Sequence, residues 1–118
     1  MSKHLANDEL PEAARGFVAG WQAGDERAVE ALFVEDAVVS DEGHTYRGRG
    51  EIRDWIDKAI HLFSTTLTFL RGREVDEMVG ATYRLEGDFP GGVVELEYQF
   101  TLDDDGLIEH LVFAPAAV

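Results

Sequence analysis

A carboxylate at the end of an apolar run is the first group in this sequence placed to do chemistry. Ala37, Val38, Val39 and Ser40 lead into Asp41, and Glu42-Gly43 turns the chain toward His44-Thr45-Tyr46-Arg47. The β-branched run reads as a buried strand over residues 37–41, a turn at 42–43 and a short return strand over 44–47. An acid at the mouth of an apolar strand loses water, and desolvation raises its affinity for a proton, which suits a general base. The plain alternative is a turn acid that accepts hydrogen bonds from the backbone N–H groups of Gly43 or His44. His44 and Tyr46 are two apart on the return strand, so both side chains face one way. His44 then either shuttles protons near Asp41 or is an ordinary exposed histidine, and Tyr46 either lines the pocket or packs. Tyr98 alternates with Leu96 and Phe100 on the apolar face of a later strand. Its hydroxyl needs a partner there: a ligand, a water, Asp41 or the backbone. Arg47, Arg49 and Arg53 lie beside Asp41, Glu42, Glu51 and Asp54 and read as an anion site or, more simply, as solvated ion pairs.

The elements that must position these groups follow from the periodicity. Residues 1–7 carry no pattern and read as a loose tail, after which Asp8 caps a helix with Pro11 in its first turn. Leu10, Ala14, Phe17, Val18 and Trp21 form one stripe of that helix, which stops at Ala23-Gly24. Asp25 caps a second helix over 26–33, with Val29, Leu32 and Phe33 inward. Gly48-Arg49-Gly50 precedes a third over 51–63, with Ile52, Trp55, Ile56, Ala59, Ile60 and Phe63 on its apolar stripe. From Ser64 the period changes from 3.6 to 2, and four strands fit at 65–75, 78–86, 93–102 and 107–113. In the third of these, Val94, Leu96, Tyr98, Phe100 and Leu102 share a core face, while Glu95, Glu97, Gln99 and Thr101 share a wetter one. His110 falls on the outer face beside an inward Leu111. Asp103-Asp104-Asp105-Gly106 lacks the spacing of a calcium loop and reads as an acidic hairpin turn.

At 118 residues and 45% hydrophobic content the chain reads as one globular domain, residues 1–118. Twenty-four acids against 10 bases give a net charge of −14, a field that repels phosphate backbones and anionic lipid. Nucleic acid and membrane are therefore poor partners, and a neutral or cationic small molecule is a better one. There is no cysteine, and His4, His44, His61 and His110 form no HExxH motif, so no metal is expected. No signal-peptide core or 20-residue apolar stretch is present, so the chain reads as cytoplasmic.

The order helix, helix, short hairpin, helix, four strands resembles the nuclear transport factor 2-like superfamily, in particular its SnoaL-like and ketosteroid-isomerase-like members. The carrying segments are Phe17-Val18-Ala19-Gly20-Trp21-Gln22-Ala23-Gly24-Asp25, Ala31-Leu32-Phe33-Val34-Glu35-Asp36-Ala37, Tyr46-Arg47-Gly48-Arg49-Gly50-Glu51-Ile52 and the last strand pair. The resemblance implies an α+β fold: a cone-shaped, curved, mixed and mainly antiparallel sheet with three N-terminal helices on its concave face. It also implies an apolar pocket, and a homodimer through the outer sheet face, with Ile108 and Val112 pointing away from the core. Asp41 lies where ketosteroid isomerase carries its general base, an enzyme in which a tyrosine and a protonated aspartic acid serve as oxyanion donors. Phe17 stands in place of that tyrosine, and Tyr98 near that aspartic acid. The catalytic set is then Asp41, Tyr98 and His44, working without a cofactor as in an isomerase, cyclase or hydratase. Phe17, Trp21, Phe33, Tyr46, Trp55, Phe69, Leu111 and Phe113 are candidates to touch an apolar substrate, although their spacing is what any core produces. The other function class is a binding or accessory module with no chemistry, in which Asp41 is a bystander; a fold of this kind carries both.

Overall fold

Residues 2–116 are described by a computed structural model. In chain order they form β1 (Ser2–Leu5), a 3₁₀ turn (Asn7–Glu9), α1 (Glu12–Ala23), α2 (Glu26–Glu30), β2 (Phe33–Asp41), β3 (His44–Arg47), α3 (Gly48–Leu62), β4 (Thr65–Val75), β5 (Met78–Gly87), β6 (Val93–Leu102) and β7 (Ile108–Pro115). The strands make one sheet in the order β1-β4-β5-β6-β7-β2-β3, antiparallel except where β2 pairs with β7. The fold is the expected α+β arrangement, a mixed sheet with its helices, and one apolar core joins Phe17, Val29, Ile52 and Ile56 of the helices to Ala81, Tyr98, Phe100 and Leu111 of the strands.

Local chemistry explains the helix ends. Pro11 occupies the position before α1 rather than its first turn, and Asn7–Glu9 form a separate short turn, so Asp8 caps nothing. Gly24 ends α1 in the left-handed conformation at φ 69°, where glycine pays no Cβ penalty. A Cβ on Gly20 would sit 2.8 Å from Val29, so that glycine lets α1 and α2 approach. Asp25 caps α2 by accepting from the Ala28 N–H at 3.1 Å. The helix ends at Glu30, short of the expected Phe33, because Phe33 begins β2 opposite Ile108, and Ile108 N–H donates to the Leu32 carbonyl at 2.8 Å.

Three further expectations are corrected. Residues 2–5 are no tail: they pair with Gly72–Val75 along the β4 edge, and Leu5 is buried. Gly72 makes this possible, since a Cβ there would lie 2.8 Å from the Leu5 carbonyl oxygen. Ile108 is fully buried instead of pointing outward, because the β6–β7 register shifts between Thr101 and Leu102 and resets the alternation. Glu97 is buried on the side expected to be wet, where its oxygens accept from Arg73 Nε and Nη2 at 2.6 and 2.8 Å and from Gln99 at 2.8 Å. Burying this carboxylate is tolerated because the guanidinium fork satisfies both oxygens.

Candidate functional site

The β2–β3 hairpin places Asp41. Its two-residue turn, Glu42-Gly43, has both residues at positive φ, 49° and 80°, the geometry that matches strand twist in tight hairpins. Asp41 pairs with His44 in register. Its Oδ2 accepts from the Trp55 indole N–H at 3.1 Å, so the carboxylate is held by α3 and not by the turn backbone. Burial raises the Asp41 pKa; Trp55 works against it, Glu42 adds to it, and His44 opposes it.

Asp41 opens on a cavity of ≈ 510 Å³ between the helices and the sheet, within the range of small-molecule sites. Tyr98 lines the same cavity from β6. It is 5% exposed, yet its hydroxyl has no protein hydrogen-bond partner among the described residues, while no fully enclosed side-chain polar atom lacks one. The Tyr98 hydroxyl therefore faces the cavity. Burial, Tyr83 and the Asp41 charge together push its pKa up, so at neutral pH it stays protonated and can only be a donor or a neutral acceptor. Tyr83, whose ring lies tilted at 5.1 Å from that of Tyr98, is pushed up to about 12 by burial.

The remaining wall is aromatic. Phe17 stacks on Trp21 at 5.4 Å, Trp21 meets Trp55 at 5.2 Å, and Phe113 contacts Tyr98 edge-on at 4.7 Å. Phe17 meets Tyr98 edge-on at 6.1 Å and brings no polar atom. At the mouth Phe63 packs on Phe89 at 5.8 Å, and Leu62 and Val94 are left exposed.

Of the expected wall residues, Phe17, Trp21, Trp55 and Phe113 line this cavity. Phe33 and Leu111 lie fully buried in the core behind it, and Phe69 packs on Tyr83 at 5.8 Å without reaching the wall. His44 and Tyr46 line a separate groove on the far side of Asp41. Leu62, Phe63, Leu85, Pro90, Val94 and Leu96 complete the cavity wall. Phe63, Val94 and Leu96 read as core, whereas Leu62, Leu85 and Pro90 were not singled out; their one sequence signal is that they lie near the chain reversals before β4 and after β5. Among the described residues, one group could supply three metal ligands, Glu26, Asp57 and His61. It sits on α2 and α3, shares no lining residue with the cavity, and is accounted for by the surface contact of His61 Nε2 with Glu26 at 2.9 Å.

The fold is similar to that of a provisionally assigned polyketide cyclase from Sinorhizobium meliloti, with TM-score 0.85 and 28% identity over 92% of this chain and 99% of that one. A Δ5-3-ketosteroid isomerase from Mycobacterium sp. is similar at TM-score 0.73 and 23% identity, over 88% and 90%. A Mycobacterium tuberculosis protein solved in complex with estradiol-17β-hemisuccinate is similar at TM-score 0.72 and 19% identity, over 86% and 88%. Among curated proteins no sequence matches. Residues 14–110 match the SnoaL-like domain, and the chain belongs to that family.

Proposed function

We propose that this protein binds an apolar carbonyl compound in its cavity and moves a proton at the neighbouring carbon, with no cofactor. The observation that carries the reading is that the Asp41 carboxylate and the Tyr98 hydroxyl, which has no hydrogen-bond partner among the described residues, open into one cavity. Asp41 takes the proton from the carbon, the electron pair moves onto the carbonyl oxygen, and Tyr98 O–H donates to the oxyanion as it forms. A preorganised donor in a dry site stabilises developing charge most effectively. The carbon then regains the proton from Asp41; His44, paired with Asp41 across the hairpin, faces the groove and reaches the substrate only through Asp41. The named activities of the cyclase and isomerase relatives support this class of reaction, and the steroid ester bound by the mycobacterial protein supports an apolar ligand.

A second reading, a binding module without turnover, is favoured by Phe17, which offers no second oxyanion donor. Hydrogen–deuterium exchange separates the two. A panel of cyclic ketones incubated in D₂O should incorporate deuterium next to the carbonyl with the native protein, and Asp41→Asn should abolish this while still binding the ketone. Binding with no exchange in the native protein selects the module.

A further inference from the structure

On the far side of Asp41 lies a groove of ≈ 400 Å³ that shares Asp41, Glu42, Trp55, Ala59 and Leu62 with the main cavity. The two spaces are thus neighbours across one wall, and a single ligand can extend from one into the other. Their chemistry differs. The cavity has Asp41 and Glu42 as its acids, whereas the groove adds Glu51 and Asp54 of α3 and the ring of Tyr46, which lies 6.0 Å from that of Trp55. Lys58 and His44 are the basic side chains in the groove wall, and neither makes an ion pair with these acids among the described residues. Glu42 and Asp54 accept no hydrogen bond there, and Glu51 accepts one, from the Arg47 backbone N–H at 3.0 Å. The Asp54 charge also acts on Arg53 outside the groove, yet the groove wall still sets two aromatic rings beside three carboxylates that make no ion pair with Lys58, a surface that attracts an organic cation by charge and by ring contact.

We propose that this groove takes the ammonium group of a ligand whose apolar body fills the cavity, so that the protein selects amine-bearing over neutral or anionic molecules. The proposal rests on the cavity holding an apolar body, and its test separates the two. The fluorescent neutral probe N-phenyl-1-naphthylamine reports cavity occupancy, and decanol, decyltrimethylammonium and decanoate, all below micelle-forming concentrations, compete for it. Decyltrimethylammonium should compete about five- to tenfold better than decanol, the scale of one partly desolvated cation–π contact, and decanoate worse than both. In Glu51→Gln/Asp54→Asn the ammonium-to-alcohol ratio should fall toward one; the exposed single variant Asp54→Asn should give part of that loss if the pair disturbs α3. The remote pair Glu77→Gln/Asp104→Asn, which touches neither space, should keep the ratio. Equal competition by decanol and decyltrimethylammonium overturns the groove and leaves the cavity standing. Equal loss in the remote pair assigns the preference to overall charge and also overturns the groove. Failure of the neutral probe and of decanol to bind overturns both readings.

Discussion

Replacing Asp41 by asparagine should make the protein more stable and less active at once. The change keeps the side chain's shape and an oxygen for the Trp55 indole N–H, now 3.1 Å from Oδ2, and removes the charge. Burial is the largest influence on this carboxyl and raises its pKa. A group that binds its proton more tightly in the folded state loses stability on ionising. The cost is absent below the unfolded pKa, grows as pH rises through the folded value, and is constant above it. Because Asp41 is only partly buried and water screens it, the gain from Asp41→Asn at neutral pH should be of order 1 kcal/mol. That is about 4 °C in Tm for a chain of this size. Removal of the base should lower turnover by about 10²–10⁴-fold. Urea unfolding followed by the fluorescence of Trp21 and Trp55 reads the stability difference at pH 7 and at steps down toward about pH 4, where it should shrink. A variant less stable than the native protein at neutral pH, or a difference that ignores pH, refutes the claim that folding desolvates this carboxylate.

Other outcomes follow from the same geometry. Tyr98→Phe should cut turnover by about 10²–10³-fold, the usual loss of one oxyanion donor. It should move Tm little, because the hydroxyl it removes has no hydrogen-bond partner among the described residues. Arg73→Leu strands the Glu97 carboxylate, whose side chain is 9% exposed, and should cost about 2 kcal/mol at pH 7 by urea unfolding. The Arg73 hydrogen bond holds the Glu97 pKa below the usual carboxylate range. Its stabilisation is therefore present above the unfolded pKa and lost as pH falls, so the deficit of Arg73→Leu should narrow in acid. We also propose that the outer sheet face pairs two copies; light scattering at micromolar concentration should then give twice the 13.1 kDa chain mass, and a monomer mass rejects it.

The parts of the fold that were legible are those whose partners are near in sequence. β4 and β6 begin and end at the expected residues, because runs rich in β-branched and aromatic residues lie between turn formers such as Asp76, at φ 54°, and Gly91 and Gly92, at 91° and 72°. What could not be read depends on distant chain. Nothing in Ser2-Lys3-His4-Leu5 signals a strand; it becomes one because β4, seventy residues on, has a free edge and a glycine at the contact. Ile108 was misplaced because alternation predicts faces only while the register holds, and the β6–β7 shift breaks it. Phe33 and Leu111 show the corresponding limit for the site, since identical apolar spacing serves a core residue and a cavity wall.

Asp41 was legible for a reason that does not extend to its surroundings. Its position at the end of an apolar strand before a two-residue turn is local, and the turn places Glu42 at φ 49°, a conformation that costs a non-glycine residue about 1 kcal/mol. The strain is held by the hairpin pairing Val38–Arg47 through Asp41–His44 on one side and by α3 on the other. Trp55 completes the arrangement from 14 residues away, and no spacing rule connects a helix indole to a strand carboxylate. The indole bond has two effects on the base. It favours the ionised form that must accept a proton, and it fixes the carboxylate against the wall between cavity and groove. Burial pulls the other way and keeps the group basic. A carboxylate under both influences is ready to accept a proton and still worth protonating, and neither influence is visible until α3 has packed against β2.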